Sequence, residues 1–436
     1  MGRNYFSLLL VLLISRLITA CEKGDEPNVS LQYPLADGTF IQDYLVARWD
    51  DARWQKELDV LKQAGMHYLV FAPTLFSDEN GGGLSIYPAT IAGVKSKYAA
   101  DLVENCLRNA KKCGFKVFLG LNFNERWWKA DFPSQWLYDQ MEIGNRVAHE
   151  LVARYKSVYG DVMHGWYWVW EVDNLNWTTP ERKNMLINAL NINIDYLHQL
   201  SPDMPFMLCP FVNYRVGPSV ENVNMWKDIF SATHFREGDI FAPQDCIGAG
   251  GLTPEILDEW FCGMAEAVKS KKGLLFWSDA ETFDQRFWTA APVNRFVKQM
   301  QTVSPYVSKI LTFSYTHYYS PFQKGRAFHD AYMEYVKTGS LPGNESPEPV
   351  RNLISYRDNE GKLILNWKEP ENKKDLAGYY IFEDHVLIGN LQFDTNLQCP
   401  PTFILPAGSP GDGQYSVCSY TGSGAVSPKQ TIIPGK

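Results

Sequence analysis

The chain has 436 residues, of which 45% are hydrophobic and 14% aromatic, and its formal net charge is −8 at pH 7. This length suggests two or three domains, which is enough for one large hydrophobic core and a smaller module. The acidic balance argues against a nucleic-acid partner, because phosphate binding needs concentrated lysine and arginine.

The N-terminal residues are typical of an export signal. Arg3 precedes an apolar run from Phe6 to Ile14, which is too short to span a bilayer. The run leads to Ile18-Thr-Ala-Cys21, which resembles a bacterial lipobox and implies cleavage before Cys21 and lipidation of its thiol. An ordinary secretory signal with a chance cysteine is the alternative. Residues 1–20 are therefore assigned to a lipoprotein signal peptide and residues 21–38 to a linker.

A charged run from Glu22 to Glu26 follows this cysteine. It resembles the surface-export signal of Bacteroides-type lipoproteins. The resemblance implies a lipid anchor in the bacterial outer membrane, at the cell surface or, alternatively, on the periplasmic face. Lipid anchors hold a protein on a membrane without spanning it, and we find no later segment long and apolar enough to span one. Without Arg3 and Arg16 the formal charge becomes −10.

Residues 39–338 alternate apolar, strand-like runs with amphipathic helical patterns. A helix or a long loop follows each predicted strand. Eight such units favour a (β/α)8 TIM barrel. An open, doubly wound sheet is the rival fold, but neither GxGxxG nor a Walker-type loop occurs in the sequence. The predicted strands begin near Thr39, Met66, Lys116, Gly165, Pro205, Asp239, Gly273 and Lys309.

The fourth and seventh strands each end in a glutamate after an aromatic-rich run, Glu171 and Glu281. Because side chains alternate along a strand, we expect the tryptophans of the fourth strand to pack under helices. The other parity then faces inward, namely Tyr167, Val169, Glu171 and Asp173 on the fourth strand and Trp277, Asp279 and Glu281 on the seventh. Burying an unpaired carboxylate costs several kcal/mol, so such placements indicate either an ion pair or a function.

The ends of the other predicted strands supply polar and aromatic side chains. Sugars offer hydroxyls that need fixed polar partners and C–H faces that pack on aromatic rings. Each of these residues alone could equally be a loop residue or lie on a solvated face. The predicted substrate-binding residues are Arg48, Trp49, Asn122, Asn124, Trp127, Asp173, Asn174, Asn213, Tyr214, Gln244, Asp245, Trp277, Asp279, Tyr315, His317 and Tyr318.

The two glutamates resemble the acid/base and the nucleophile of the large clan of retaining glycosidases. Over essentially the whole mature length, the chain is also similar to Bacteroides-type lipoproteins that join a glycosidase-like barrel of undefined function to a fibronectin-like module. The resemblance implies a glycoside hydrolase acting on a poly- or oligosaccharide, with Glu171 as general acid/base and Glu281 as nucleophile. We expect Tyr315 or His317 to keep Glu281 ionised and oriented.

Some details of this site stay open at the level of sequence. The glycosidase clan usually has asparagine directly before the glutamate of the fourth strand, whereas this chain has Trp170. Candidates to replace that asparagine are Asn174, Asn122 and Asn213. Asp173 competes for the role of acid, and Asp279 for that of nucleophile.

Residues 339–349 form a linker rich in proline, glycine and glutamate, and short alternating strands follow it. Residues 350–436 resemble a fibronectin type III sandwich, which implies a spacing or bracing role or, as the alternative, a sugar-binding role. The resemblance is based on the motifs Val350-x-Asn-Leu, Leu365-x-Trp-x-x-Pro, Gly378-Tyr-Tyr-Ile and Tyr415-x-Val. Cys399 and Cys418 could form a disulfide or be buried unpaired.

A second functional hypothesis is a surface protein that binds glycans through a degenerate, non-catalytic barrel. Trp170 and the predicted anchor favour it. Metal-dependent hydrolysis is disfavoured, because no HxH follows the first strand, HExxH is absent and the eight histidines are scattered. The GxSxG elbow of serine hydrolases is absent too. The sequence therefore predicts a carbohydrate ligand, no metal or other cofactor, and a monomer.

Overall fold

Eight parallel strands form a closed barrel in the computed structural model, which describes residues 33–323, 325–343, 345–393, 401–405 and 411–434. The predicted (β/α)8 barrel is confirmed. Each observed strand begins within two residues of its predicted start. The strands are β1 Gly38–Ile41, β2 Tyr68–Phe71, β3 Lys116–Gly120, β4 Met163–Trp168, β5 Phe206–Leu208, β6 Ile240–Phe241, β7 Leu275–Glu281 and β8 Lys309–Phe313.

A helix follows each strand and covers the outside of the barrel. Capping residues explain where several of these helices begin and end: the Asp50 and Thr179 side chains accept backbone N–H groups, and Gly114 is left-handed. As the periodicity predicts, Trp54, Trp226 and Trp260 are buried in the core. The helices are α1 Asp51–Gln63, α2 Leu102–Cys113, α3 Ser134–Tyr159, α4 Pro180–Leu200, α5 Ser219–Ala232, α6 Leu257–Lys269, α7 Val293–Val303 and α8 Ala327–Thr338.

The inside of the barrel is filled with large rings. Tyr68, Phe118 and Trp277, which we call the aromatic floor, have ring centroids 5.4 to 6.2 Å apart. Tyr167 of β4 lies in the same interior cluster, whereas Trp166 and Trp168 belong to the cluster between the barrel and its helices. This alternation follows from the pleat of the strand. The interior is therefore packed below the carboxyl ends of the strands.

Several loops at the carboxyl ends of the barrel strands contain short elements of their own. The long loop after β2 forms a small sheet from Leu75–Ser77, Gly83–Ser85 and Val94–Ser96 together with Asn122–Phe123. In the β7–α7 loop, Phe283–Asp284 pairs with Thr289–Ala290 as an antiparallel hairpin. Short helical turns follow β1, β3 and β8, at Asp43–Val46, Glu125–Lys129 and Tyr315–Tyr318.

The C-terminal region forms two separate antiparallel sheets, here called the module. Its core is built from Trp367, Tyr379, Ile381, Tyr415 and Val417 with their neighbours. The alternating pattern predicts strands at 353–356, 362–367, 378–383, 402–405 and 414–420, and the structure adds Val386–Gln392 and Gln430–Ile432. The first sheet contains β9 Arg351–Arg357, β10 Leu363–Lys368 and β13 Thr402–Ile404. The second contains β11 Leu376–Glu383, β12 Val386–Gln392, β14 Tyr415–Thr421 and β15 Gln430–Ile432.

Some predictions fall on residues that the structure does not describe. The signal peptide, Cys21 and Cys399 lie outside the described residues, so lipidation and a disulfide to the buried Cys418 stay predictions. The likeness of the module to fibronectin type III also stays a prediction. Among the described residues, no helix combines the length and the apolar character that crossing a bilayer requires.

Candidate active site

A cleft of about 550 Å³ opens at the carboxyl ends of the barrel strands. This is the end at which TIM-barrel enzymes place their active sites. Side chains from the ends of different strands meet there, although they are remote in sequence. The polar side chains lining the cleft include Glu171, Gln244, Asp279, Glu281, His317 and Tyr318.

Glu171 lies just past the end of β4, on the inward parity of that strand. Its main-chain carbonyl accepts a 2.9 Å hydrogen bond from Trp127 Nε1, which fixes the backbone there. Burial raises the pKa of Glu171 to about 7, and a hydrogen bond from the Gln244 side chain opposes this rise. Glu171 therefore exchanges a proton near neutral pH, as a general acid/base requires.

Glu281 is the last residue of β7, and only 1% of it is exposed. Its Oε2 accepts a 2.7 Å hydrogen bond from the Ala249 N–H, and its main-chain N–H donates to Asp245 Oδ1 at 3.2 Å. Its carbonyl accepts from Arg295 Nη2 and Gln299 Nε2, each at 3.0 Å. Burial, with the negative charge of Asp245, raises the pKa of Glu281 to about 8.

Two buried aspartates, Asp245 and Asp279, complete a group of four carboxyl groups with the buried Glu281 and the partly exposed Glu171. Asp279 lines the cleft, and its Oδ1 has no hydrogen-bond partner among the described residues. Burial, together with the charge of Glu281, raises the pKa of Asp279 well above its ordinary value. Asp245 lies beside it, and burial raises the pKa of Asp245 to about 6. Because like charges repel in a buried site, these groups share protons near neutral pH.

No basic side chain within the described residues forms an ion pair with Glu171 or Glu281. The charge of Arg295 does lower the pKa of Glu281, but its guanidinium donates to main-chain carbonyls. Both carboxyl groups are thus left to face the cleft. A structural ion pair does not account for their burial.

Aromatic rings form one side of the cleft. Trp288 stacks on Phe283 at 5.8 Å with 7° between the planes, and Phe283 stacks on Tyr318 at 5.6 Å. We call these three rings the aromatic wall. Trp288 is 62% exposed, and two further exposed rings, Tyr44 and Trp128, also line the cleft. Exposed rings around a cleft suit the C–H faces of a sugar.

His317 lies on the cleft and contacts the loop after β1. Its Nε2 accepts from the Gln42 N–H, and its Nδ1 lies 3.4 Å from the Tyr44 hydroxyl. Burial lowers the pKa of His317 to about 4. The ring is therefore neutral at physiological pH and supplies no positive charge to the carboxyl groups of the cleft.

Residues 36–325 match a protein family whose description is Domain of unknown function (DUF4434). The chain belongs to the DUF4434 family. The matched region covers nearly all of the barrel and does not include the module. None of the curated proteins matches the sequence.

Solved structures resemble the chain to different degrees. One from Bacteroides thetaiotaomicron, provisionally assigned as an α-L-fucosidase, has a TM-score of 0.59 at 20% identity, covering 72% of this chain and 99% of the other. A chitinase from Bacillus thuringiensis has a TM-score of 0.41 at 12% identity, covering 91% and 84%. A second α-L-fucosidase from Bacteroides thetaiotaomicron has a TM-score of 0.38 at 10% identity, covering 90% and 85%. At 20% identity, the first structure shows a shared barrel fold.

Several predicted residues of the DUF4434 domain brace its loops instead of lining the cleft. Asp173 accepts the N–H groups of the two loop residues at positions 175 and 176. Asn174 and Asn213 bond to each other, since the Asn174 amide accepts from the Asn213 N–H and donates to its carbonyl. Asn122 and Asn124 donate to the β2 loop or to α3. These amides hold neighbouring loops together.

Other predicted residues are packed or exposed outside the cleft. Trp127 stacks on Trp177 behind Glu171, and Trp277 belongs to the aromatic floor. Tyr315 is buried, and its hydroxyl bonds to His329 at 2.7 Å, so it does not orient Glu281. Arg48 is exposed, Trp49 packs on Trp54, and Tyr214 lies under the Arg215 guanidinium.

Gln42, Tyr44, Gln285 and Trp288 are among the cleft residues that the sequence did not predict. Gln285 and Trp288 lie in the β7–α7 loop, whereas Gln42 and Tyr44 directly follow β1, which ends at Ile41, before the predicted Arg48 and Trp49. The signal for Trp288 was a large aromatic residue in a polar loop seven positions after Glu281. The DUF4434 site therefore combines strand-end carboxyl groups with rings from loops.

Proposed function

We propose that the DUF4434 barrel is a glycoside hydrolase in which Glu171 and Glu281 act on one glycosidic bond. The observation that supports this most is that both carboxyl groups, from β4 and β7, line the same cleft without an ion pair among the described residues. Most glycosidases use a pair of carboxyl groups as their catalytic residues. The exposed rings beside them offer a surface on which a sugar can pack.

In the first step, Glu171 protonates the departing glycosidic oxygen while ionised Glu281 attacks the anomeric carbon. The C–O bond to the leaving group breaks and a glycosyl–enzyme ester forms. Ionised Glu281 is stabilised by the N–H of Ala249 and the nearby charge of Arg295. Burial and Glu281 keep a proton on Asp279, which makes Asp279 the weaker nucleophile.

In the second step, Glu171 removes a proton from water, and the resulting hydroxide equivalent attacks the same carbon and releases Glu281. The first step needs a proton on Glu171 and none on Glu281, and the second step needs Glu171 ionised so that it can accept a proton from water. With a pKa of about 7 for Glu171 and about 8 for Glu281, the pair holds one proton near pH 7.5, mostly on Glu281, and the reactive arrangement with that proton on Glu171 is the less populated one. We therefore expect a bell-shaped pH profile centred there.

A panel of p-nitrophenyl glycosides, beginning with the α-L-fucoside, tests the proposal on purified wild-type protein. The α-L-fucoside comes first because the similar structure with a TM-score of 0.59 is provisionally assigned as an α-L-fucosidase. We expect release of nitrophenol from at least one member, with retention of anomeric configuration in the product by ¹H NMR. Absence of turnover on this panel and on plant and host oligosaccharides would contradict the proposed hydrolase.

A non-catalytic glycan-binding protein is the second candidate, and Trp170 is the observation that favours it. Trp170 is fully buried against Trp127 and Trp136, so this position of β4 gives the cleft no amide. The amide that reaches Glu171 comes instead from Gln244, after β6. Glycan-array binding by wild-type protein that releases no reducing sugar would establish this candidate.

We also propose that Cys21 is lipidated and anchors the protein to the bacterial outer membrane, on the basis of the Ile18-Thr-Ala-Cys21 run. In cells fed a labelled fatty acid, wild-type protein should carry the label and sediment with membranes. Cys21→Ala should lose both properties. A Cys21→Ala variant that still carries the label would show that this cysteine is not the lipidation site.

A further inference from the structure

The module holds the loop that forms one side of the cleft. The Gln392 side chain, on β12, makes two hydrogen bonds to one residue of the β7–α7 loop: its Oε1 accepts the Ala290 N–H and its Nε2 donates to the Ala290 carbonyl, each at 3.0 Å. Asn390, on the same strand, donates to Thr289 Oγ1 at 2.9 Å. A primary amide is suited to this, because it donates and accepts at once.

A second contact joins the module to the start of α7. The carbonyls of Gly422 and Ser423 accept the N–H groups of Val293 and Asn294 at 2.9 and 3.2 Å. The first N–H groups of a helix have no partner within the helix, and the N-cap residue of α7, Pro292, has no side-chain cap. The module also packs closely against the start of α8, because a Cβ on Gly422 would lie 2.1 Å from the carbonyl oxygen of Ala327.

Both contacts lead to residues of the cleft. The loop contributes Phe283, Gln285 and Trp288 to its lining. Two side chains of α7, Arg295 and Gln299, donate to the Glu281 carbonyl. Hydrogen bonds thus join the module to the loop and to the start of α7, and join α7 to the carbonyls of Glu281 and Phe283.

We propose that Gln392 and Asn390 are positioning residues of the cleft and that the module is part of the glycan-binding site. They fix the loop in the conformation that presents Trp288 to the cleft. This matters because Trp288 is 62% exposed and lies at a left-handed φ of 51°, so few contacts of its own hold it. Only the kinetic test of this inference rests on the proposed function, and the hydrogen-exchange test does not.

Gln392→Met tests the inference in the full-length chain, because it keeps the size of the side chain and removes both hydrogen bonds to Ala290. Amide hydrogen exchange is followed at Gln285 and Ala291, whose N–H groups donate to the Gly248 and Thr282 carbonyls. We expect exchange at these two amides to accelerate about 10-fold, with no change in β4. Gln430→Met, an exposed glutamine on β15, is the matched control.

The kinetic readout uses the p-nitrophenyl glycoside that wild-type protein hydrolyses fastest. Gln392→Met should raise KM about 5-fold and leave kcat within about 2-fold, and Trp288→Ala should raise KM as much or more. Unchanged exchange at Gln285 and Ala291 would overturn the inference, whether or not the protein proves to be a hydrolase. So would faster exchange throughout the barrel, or a wild-type KM in a variant whose loop exchanges faster.

Discussion

Glu281→Gln should lower kcat by about 10⁴-fold or more on every substrate of the wild-type enzyme. Glutamine keeps the size of the side chain and an oxygen that accepts the Ala249 N–H, but its amide does not form the glycosyl ester. The fold should persist, since the contacts of the Glu281 main chain with Asp245, Arg295 and Gln299 do not involve the replaced atoms. Steady-state kinetics and circular dichroism are the measurements.

Glu237→Gln is the matched control for this experiment. Glu237 is exposed and lies on the loop that enters β6, at the opposite end of the barrel from the cleft. Its substitution should leave kcat and KM unchanged. If Glu281→Gln keeps more than about a tenth of wild-type kcat, Glu281 is not the nucleophile, and Asp279 becomes the first alternative.

The same substitution should stabilise the protein at alkaline pH. The pKa of Glu281 rises from an ordinary 4.5 to about 8 in the folded protein. Between these values the folded state binds more protons than the unfolded state, so stability is full below about pH 4.5 and is lost as the pH rises through 8. At pH 8.5, Glu281→Gln should therefore raise the free energy of unfolding by on the order of 3 kcal/mol.

Urea unfolding at pH 5 and at pH 8.5 provides this measurement. Wild-type protein should lose stability between the two pH values, and Glu281→Gln should lose less. Asp279→Asn should behave likewise, because burial also raises the pKa of Asp279. Glu237→Gln should follow the wild-type dependence. Equal dependence in all four proteins would show that Glu281 and Asp279 are not buried as protonated groups.

The barrel was predictable because its signals are local. Each strand is a short apolar run bounded by polar or glycine residues, and helices such as α4 begin and end at recognisable residues. Strands β12 and β15 were missed because Val386–Gln392 mixes polar and apolar residues without clear alternation and Gln430–Ile432 has three residues. Pairing with β11 and β14 holds them, which is a tertiary effect.

Site residues on strands were predictable, because strand geometry fixes the direction of their side chains. Site residues on loops were not, because no regular geometry fixes the direction of theirs. Alternation along β4 and β7 is enough to place Glu171 and Glu281 at one end of the barrel. Nothing local distinguishes Asn174, which braces a neighbouring loop, from Gln244, which reaches Glu171. The loop that carries Trp288 is hydrogen-bonded, through Ala290, to a module residue more than a hundred positions later in the chain.

The aromatic floor also constrains how a reaction cycle ends. With Tyr68, Phe118 and Trp277 packed beneath the strand ends, the route through the centre of the barrel is blocked. In the proposed hydrolase, a released sugar would therefore leave through the cleft by which the glycan entered. Product release and glycan binding would then use the same cleft, and added free sugar should inhibit turnover competitively.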